Sequence, residues 1–196
     1  MKNIKSAFNL TIFFFLLTGF IYPLIMTGIA QVLFSSSANG SFISFKQEII
    51  GSKWIGQSFT NPKYFWGRPS STALFAYNAA ASSGSNFGPS NPDFFDTVKK
   101  RAARLRAADP NHAFWVPVDL VTTSASGLDP DISPLDAYYQ VPRIAESRHL
   151  SPQVISSLIN IAIKQRSLFL FGEPTVNLLQ LNIALDKLTE GAPSHV

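Results

Sequence analysis

The side chains that most often carry catalysis are sparse and scattered in this sequence. Its three histidines, His112, His149 and His195, are isolated from one another, and the chain has no cysteine. It therefore has no thiolate nucleophile, and it contains neither a His-Glu-x-x-His run for zinc nor a Gly-x-Ser-x-Gly turn for an exposed serine. A triad built on Ser124 stays open, because triad residues meet in space rather than in sequence. No local pattern favours one.

Oxygen ligands are more concentrated, and they raise the question of a hard cation. Four aspartates crowd one region of the chain: Asp119, Asp129, Asp131 and Asp136. Calcium prefers such oxygen-rich loops, yet the spacing matches no known calcium loop. Turn formation and helix capping by Asp and Ser explain the same residues. We therefore expect no metal site.

Phosphate-binding signals are weak as well. The small polar loop at 78–91 could present backbone N–H groups to an anion, but no Gly-x-x-x-x-Gly-Lys-Ser/Thr run exists. Asn91 and Pro92 predict the start of a helix. This helix carries five basic residues: Lys99, Lys100, Arg101, Arg104 and Arg106. They could form a solvated face, or they could contact lipid headgroups or an acidic partner. The net charge of +4 falls to +2 once Lys2 and Lys5 are set aside. We expect no nucleic-acid partner.

One apolar stretch, residues 10–34, organises the rest of the chain. No charge occurs between Lys5 and Lys46. As a helix the stretch is about 37 Å long, enough to span a bilayer core of roughly 30 Å. Lys2 and Lys5 precede it, so the positive-inside tendency predicts a cytoplasmic tail at 1–9 and an exported remainder. A cleaved signal peptide is the alternative, but the apolar region far exceeds the usual ~7–15 residues.

The predicted span carries an internal stripe of small and polar residues. Gly19, Pro23, Thr27 and Gln31 recur every four positions. Small residues let helices approach closely, and polar groups in a membrane seek partners on other helices, so the stripe is a candidate interface with a partner helix. Pro23 should also kink the helix. The alternative is an ordinary anchor with routine Gly and Pro content.

Beyond the span, the sequence predicts one domain at 35–190 and a disordered tail at 191–196. Ser35 to Ser44 is typical of a linker. The patterns predict strands at 49–59 and 117–123, helices after Asn91 and Ser151 and at 136–148, and a closing helix over 176–186. The fold class is therefore α+β: a single amino-terminal transmembrane helix followed by one mixed α/β extracytoplasmic domain. An aromatic cluster at 64–66 beside Arg68 is either a binding platform or core packing.

Seven motifs, in order along the chain, give the sequence a resemblance to a known family. They are GQSF (56–59), YFWGRPS (64–70), GSN (84–86), PVDLVT (117–122), SASGLDP (124–130), YQVPR (139–143) and VNLLQLN (176–182). Together they resemble the C subunit of the Kdp potassium-transporting P-type ATPase. Two departures occur, at Ala125 and Asp131, where family members often carry Gly and His.

The resemblance implies an accessory subunit of an inner-membrane complex, with no catalysis and no cofactor of its own. Its partners would be membrane lipid, a channel-like subunit that selects potassium and a P-type subunit that hydrolyses ATP. The family is described as a catalytic chaperone that raises the ATP affinity of the pump, with the glutamine at Gln140 touching nucleotide. Arg143 is its nearest candidate helper. The motifs also single out a set of further residues: Ser124, Ser126, Gly127, Asp129, Asn177 and Asn182.

The predicted topology conflicts with a nucleotide role, because ATP is cytoplasmic and the domain is expected outside. An exported domain would instead cap the potassium entrance or brace the channel-like subunit. From the residues, we expect Gln140 and Arg143 to brace the loop at 124–130, and ATP to bind no tighter than roughly millimolar, about −4 kcal/mol. The rival function is a membrane-anchored periplasmic hydrolase or binding protein that works independently.

Overall fold

The structure, a computed structural model, describes residues 2–112 and 115–190. They divide into two compact units that meet in the sequence between Phe42 and Ile43. The predicted tail at 191–196, which includes His195, lies outside the described residues. The α+β class is confirmed, because an apolar amino-terminal helix precedes a domain of helices and short strands.

The first unit is built on a long helix in three consecutive parts. Helix α1 (Lys2–Leu16) continues through a π-helical segment (Leu17–Ile21) into α2 (Tyr22–Leu33). Among the described residues, Asn3–Leu33 is the one helix whose length and composition allow it to cross a membrane. None of its most apolar window is buried inside the protein. The helix begins earlier than the predicted span of 10–34, so residues 2–9 of the predicted tail are helical.

The irregularity expected at Pro23 takes the form of a π-helical turn just before it. The Tyr22 N–H donates to the Leu17 carbonyl five residues back, and Pro23 occupies the first turn of α2, where its missing N–H is tolerated. The Thr18 hydroxyl donates to the Phe14 carbonyl at 2.7 Å. A hydroxyl bonded in this way to the carbonyl four residues back often bends a helix.

The second unit is a domain of short elements. Its strands are β1 (Phe42–Phe45), β2 (Glu48–Ser52), β3 (Asp131–Ile132), β4 (Ile163–Lys164) and β5 (Thr175–Asn177). Its helices, numbered after a short α3 (Ser35–Ala38) in the predicted linker, are α4 (Pro92–Ala108), α5 (Pro134–Tyr139), α6 (Val141–Arg148), α7 (Pro152–Ala162) and α8 (Leu178–Glu190). Strands β1 and β2 pair with each other, while β3, β5 and β4 form a second sheet in that order.

The three-stranded sheet is antiparallel and centred on Val176. Val176 pairs with Ile132 of β3 on one side and with Ile163 of β4 on the other. It is fully buried, whereas its neighbours Thr175 and Asn177 are partly exposed. The closing helix therefore begins at Leu178 rather than at Val176 as predicted, because the β-branched Val176 completes the sheet.

The predicted helix starts are confirmed where they rest on local capping. The Asn91 side chain accepts from the Asp93 N–H at the start of α4, and the Ser151 side chain accepts from the Val154 N–H at the start of α7. Pro142 lies in the first turn of α6, where its missing N–H is tolerated. A further capping box joins Ser133 and Asp136 at the start of α5.

The predicted buried strand at 117–123 is wrong. The chain forms a single 3-10 turn there, Val118–Leu120. Leu120 and Val121 are adjacent, yet both are buried in the same cluster. A strand would send neighbouring side chains to opposite faces, so packing both inward requires a turn. The strand predicted at 49–59 is likewise shorter and ends with β2 at Ser52.

Two apolar cores meet at the aromatic cluster. The main core contains Phe65, residues of the three-stranded sheet, and the inner faces of α5 to α8. A smaller core contains Trp66, Leu105, Leu120 and Val121. Phe65 and Trp66 are adjacent in sequence but belong to different cores. The chain at this point therefore links the two halves of the domain.

Candidate functional site

The segment 61–66, hereafter the aromatic segment, is held by side chains instead of by a neighbouring strand. Asn182 of α8 accepts from the Phe65 N–H at 2.9 Å and donates to the Phe65 carbonyl at 3.0 Å. Gln140 forms the same pair of hydrogen bonds with the next residue. Its Oε1 accepts from the Trp66 N–H at 2.7 Å, and its Nε2 donates to the Trp66 carbonyl at 3.0 Å. Buried backbone groups require partners, and these two amides supply them.

Arg143 completes this clamp from the first turns of α6. Its guanidinium donates to the carbonyls of Pro62 and Tyr64, and Nη2 also donates to Gln140 Oε1 at 2.6 Å. The guanidinium carbon lies 4.2 Å from the centroid of the Trp66 ring. Burial lowers the pKa of Arg143 to about 10, so the side chain stays charged at neutral pH.

A second arginine anchors the start of the aromatic segment. Arg148 donates to the Lys63 carbonyl at 2.7 Å and forms a 2.7 Å ion pair with Asp186 of α8. The Tyr64 hydroxyl donates to the other oxygen of Asp186 at 3.0 Å. Burial is the main cause that raises the pKa of Tyr64, and the Asp186 carboxylate raises it further. Sequence reasoning missed Arg148 and Asp186, because they lie far from the motif that they support.

The two predicted nucleotide-binding residues therefore face inward. Gln140 is 2% exposed and Arg143 is 5% exposed. Both amide atoms of Gln140 and both terminal nitrogens of Arg143 already bind the protein's own backbone. Their bracing role was expected, but the expected target was wrong: they hold residues 62–66 rather than the loop at 124–130.

The loop at 124–130 is ordered by its own small side chains. The Ser124 hydroxyl accepts from the Gly127 N–H at 3.0 Å, and the Ser126 hydroxyl accepts from the Leu128 N–H at 3.1 Å. Gly127 has φ +68, and a Cβ on it would lie 2.6 Å from the Ser83 carbonyl oxygen. Only glycine fits this turn without strain. Ser124 thus has a structural bond that explains its presence in the motif.

The remaining motif residues connect this loop to the rest of the domain. Asp129 forms an ion pair with Arg68 at 3.2 Å, and Arg68 also lies 3.4 Å from Asp119. Asn177 donates both to the Lys53 carbonyl and to Asp131 Oδ1, at 3.0 Å each. Asp119 and Asp129 therefore share Arg68, while Asp131 pairs with Asn177. Within residues 2–112 and 115–190, no group of three His, Asp or Glu side chains could hold a metal ion.

A basic cleft lies beside the aromatic segment. It has a volume of about 280 Å³ and is lined by Trp66, Tyr77 and three arginines, Arg68, Arg101 and Arg104, with no described carboxylate in its lining. Arg101 also donates to the Val121 carbonyl at 2.9 Å, and burial lowers its pKa. The Arg104 guanidinium lies 5.2 Å from the centroid of the Trp66 ring. Arg68 is already paired with Asp119 and Asp129, so Arg101 and Arg104 supply the remaining positive charge with which the cleft could hold a small anionic group.

In the first unit, the predicted interface stripe is only partly free. Gln31 exchanges two hydrogen bonds with the Asn39 side chain, at 3.1 and 3.3 Å. Its amide therefore has a partner within the chain, on the short segment that follows the helix. A Cβ added at Gly19 would meet nothing within 4 Å, so that side of the helix is open.

With this geometry established, comparison with known proteins identifies the family. The family model described as "KdpC: K+-transporting ATPase, c chain" matches residues 4–187. The chain belongs to the KdpC family. This membership confirms the resemblance inferred from the seven motifs. It also confirms the prediction of a subunit rather than an enzyme that acts on its own.

Similar proteins cover nearly the whole chain. A "Potassium-transporting ATPase KdpC subunit" of Dechloromonas aromatica is 50% identical over 97% of this chain and 100% of its own length. Proteins with the same description from Herpetosiphon aurantiacus and Serratia proteamaculans are 52% and 47% identical, over 94% and 96% of this chain and over 95% and 100% of their own lengths. The KdpC similarity therefore includes both the apolar helix and the domain.

Proposed function

We propose that the chain is the accessory subunit of a potassium-transporting ATPase and that it assembles or stabilises that complex. The observation that carries this proposal is that about half of the residues are identical, over nearly the full length, to those of proteins described as KdpC subunits. The partners would be membrane lipid, a channel-like potassium-binding subunit and an ATP-hydrolysing P-type subunit. ATP and potassium would be handled by those subunits, and the chain would need no cofactor of its own.

The proposed location is the inner membrane, crossed once, with the amino terminus in the cytoplasm. Lys2 and Lys5 precede the uncharged apolar stretch, and no charge follows until Lys46. Alkaline phosphatase fused after Val196 should therefore be exported and active. An inactive phosphatase fusion, with an active cytoplasmic reporter at the same position, would overturn this orientation.

The interface with a partner helix is proposed to run along Gly19, Pro23 and Thr27. Gly19 and Gly28 are a matched pair, because a side chain at either would meet nothing within the protein. Gly28 lies roughly 100° around the helix from Thr27, away from the stripe. Gly19→Leu should therefore reduce co-purification with the larger subunits in detergent, whereas Gly28→Leu should not. Equal recovery of both variants would argue against the stripe.

Any rise in ATP affinity caused by this subunit is proposed to be indirect. Direct contact by Gln140 would require the side chain to leave four hydrogen bonds, three of them to backbone groups. Buried polar groups left without partners cost about 1–3 kcal/mol each, so this exposure is unfavourable. The subunit would instead affect the pump through the shape of the assembled complex.

A second candidate function is direct binding of a phosphate-bearing ligand in the basic cleft. Three arginines line the cleft, and Arg104 stacks near Trp66, which Gln140 holds in place. At about 280 Å³ the cleft fits one anionic group better than a whole nucleotide, since ligand pockets usually occupy roughly 300–1,000 Å³. Arg104→Ala should weaken such binding, while Arg106→Ala on the same helix serves as the control. Equal effects of the two variants on ligand binding would exclude the cleft as the binding site.

A further inference from the structure

A short turn in the second unit exposes four consecutive large apolar side chains. Leu168, Phe169, Leu170 and Phe171 have 83%, 92%, 72% and 62% of their surfaces exposed. We call residues 168–171 the apolar tip. Single exposed apolar side chains are common on protein surfaces, but an uninterrupted run of four is a mark of an interaction site.

The backbone of the apolar tip is fixed in an unfavourable conformation. Ser167 and Phe171 exchange two backbone hydrogen bonds of 2.9 Å each. Between them, Leu168 and Phe169 have φ of 53° and 62°. Bulky residues rarely adopt such left-handed angles, and turns of this kind normally carry Asn or Gly. Strain of this sort persists mostly where the projected side chains have a function.

Charged residues surround the base of the turn. Arg166 and Glu173 form an ion pair of 2.5 Å across it, and Lys164 is exposed on β4. The turn therefore presents an apolar end above a polar base with an excess of positive charge. This order of apolar side chains and basic residues is the order that a bilayer with anionic headgroups accommodates.

We propose that the apolar tip inserts into the headgroup and acyl boundary of the membrane that the amino-terminal helix spans. All four consecutive side chains are exposed, so a partner that buries all of them has to surround the turn. Fluid lipid surrounds an inserted turn completely, whereas a protein groove covers one face. This inference rests on the membrane attachment in the proposed function and adds a second point of contact to it.

The length of the connecting chain supports this choice of partner. Residues 34–42 separate the last residue of α2 from the second unit. Fully extended, they reach at most about 30 Å. The domain is therefore confined near the bilayer surface, where its effective concentration is high and a small apolar contact is enough to engage lipid.

The absence of cysteine makes the test direct, because a single introduced cysteine is the only labelling site. Leu168→Cys is compared with Leu74→Cys, since Leu74 is also highly exposed, at 95%, and also has a positive φ, of 71°. Each full-length variant carries an environment-sensitive fluorophore. It is reconstituted into vesicles of phosphatidylethanolamine and phosphatidylglycerol, alone and together with the larger subunits. Flotation first establishes that the chain is bound to the vesicles.

With insertion, lipids carrying nitroxide groups quench the label at 168, and iodide quenches it at least about threefold less than the label at 74. Adding Phe169→Asp should restore the quenching of the label at 168 by iodide. Equal iodide quenching at both sites would place the tip in water and overturn the inference. Protection from both quenchers would mean that a protein surface covers the tip, which also overturns it. A chain that fails to float would contradict the membrane attachment itself.

Discussion

The side-chain amide of Gln140 forms a hydrogen bond with each backbone group of Trp66. The Trp66 N–H donates to Oε1 at 2.7 Å, and Nε2 donates to the Trp66 carbonyl at 3.0 Å, across 74 positions of sequence. A strand neighbour would satisfy the same two groups, so Gln140 replaces one residue of a missing strand. It fixes the point where the chain passes from the main core to the smaller core.

Gln140→Ala should therefore destabilise the folded domain. The substitution removes the partners of two buried backbone groups of Trp66 and one acceptor of Arg143. A loss of about 3 kcal/mol in the free energy of unfolding is expected. For a protein of this size it lowers the melting temperature by about 6–12 °C. Thermal unfolding of the full chain in detergent, followed by tryptophan fluorescence, measures the shift.

The control for Gln140→Ala is the exposed Gln153 of α7. Gln153→Ala should change the free energy of unfolding by no more than about 0.5 kcal/mol. Similar shifts for the two variants would mean that the clamp on Trp66 contributes little to stability.

The turn at Gly127 gives a second prediction. Gly127→Ala places a Cβ at a φ of +68, 2.6 Å from the Ser83 carbonyl oxygen and 2.8 Å from Thr72 Cγ2. The variant should lose more than about 2 kcal/mol of stability. At Gly88 an added Cβ meets nothing within 4 Å, so Gly88→Ala is the matched control and should stay within about 0.5 kcal/mol. Chemical denaturation of both variants measures the two changes in the free energy of unfolding.

Asp136 gives a prediction about pH. Burial is the main cause that raises its pKa, against the lowering effect of its hydrogen bonds to Ser133. The folded protein therefore binds this proton more tightly than the unfolded chain does. Between the ordinary pKa of 3.8 and the raised folded value, the contribution of Asp136 to stability falls as pH rises.

Acidification should thus favour the wild type over Asp136→Asn, which lacks this titration. Melting curves of both proteins at pH 6, 5 and 4, a range that extends down to the ordinary pKa of 3.8, give the difference in the free energy of unfolding. That difference should move towards the wild type as the pH falls. A constant difference, or a movement in the opposite direction, would show that Asp136 has no raised pKa.

Local chemistry made some features of the fold readable from the sequence. The caps at Asn91 and Ser151 depend on neighbours two or three positions away, so the sequence contains all the parts. The predicted strand at 117–123 failed because Leu120 and Val121 pack against the same core. That packing depends on Trp66 and Leu105, which no local pattern brings together.

In the candidate site, too, the sequence indicates some residues but not the distant partners that they contact. Gln140 and Asn182 were singled out by their motifs, but their partners Trp66 and Phe65 lie 74 and 117 positions away. The apolar run at 168–171 is visible in the sequence as well. Periodicity alone cannot distinguish an exposed apolar turn from a short buried strand, so the sequence does not show that this run is exposed.

The most direct test of the account asks whether Gln140 works through the fold or through nucleotide. ATP is titrated into the purified full chain by calorimetry, and the ATPase activity of the whole complex is measured with wild type and Gln140→Ala. The account predicts ATP binding no tighter than roughly millimolar, about −4 kcal/mol, and a defect in the variant that parallels loss of stability or assembly. Micromolar ATP binding that disappears in Gln140→Ala, while the complex remains intact, would contradict it.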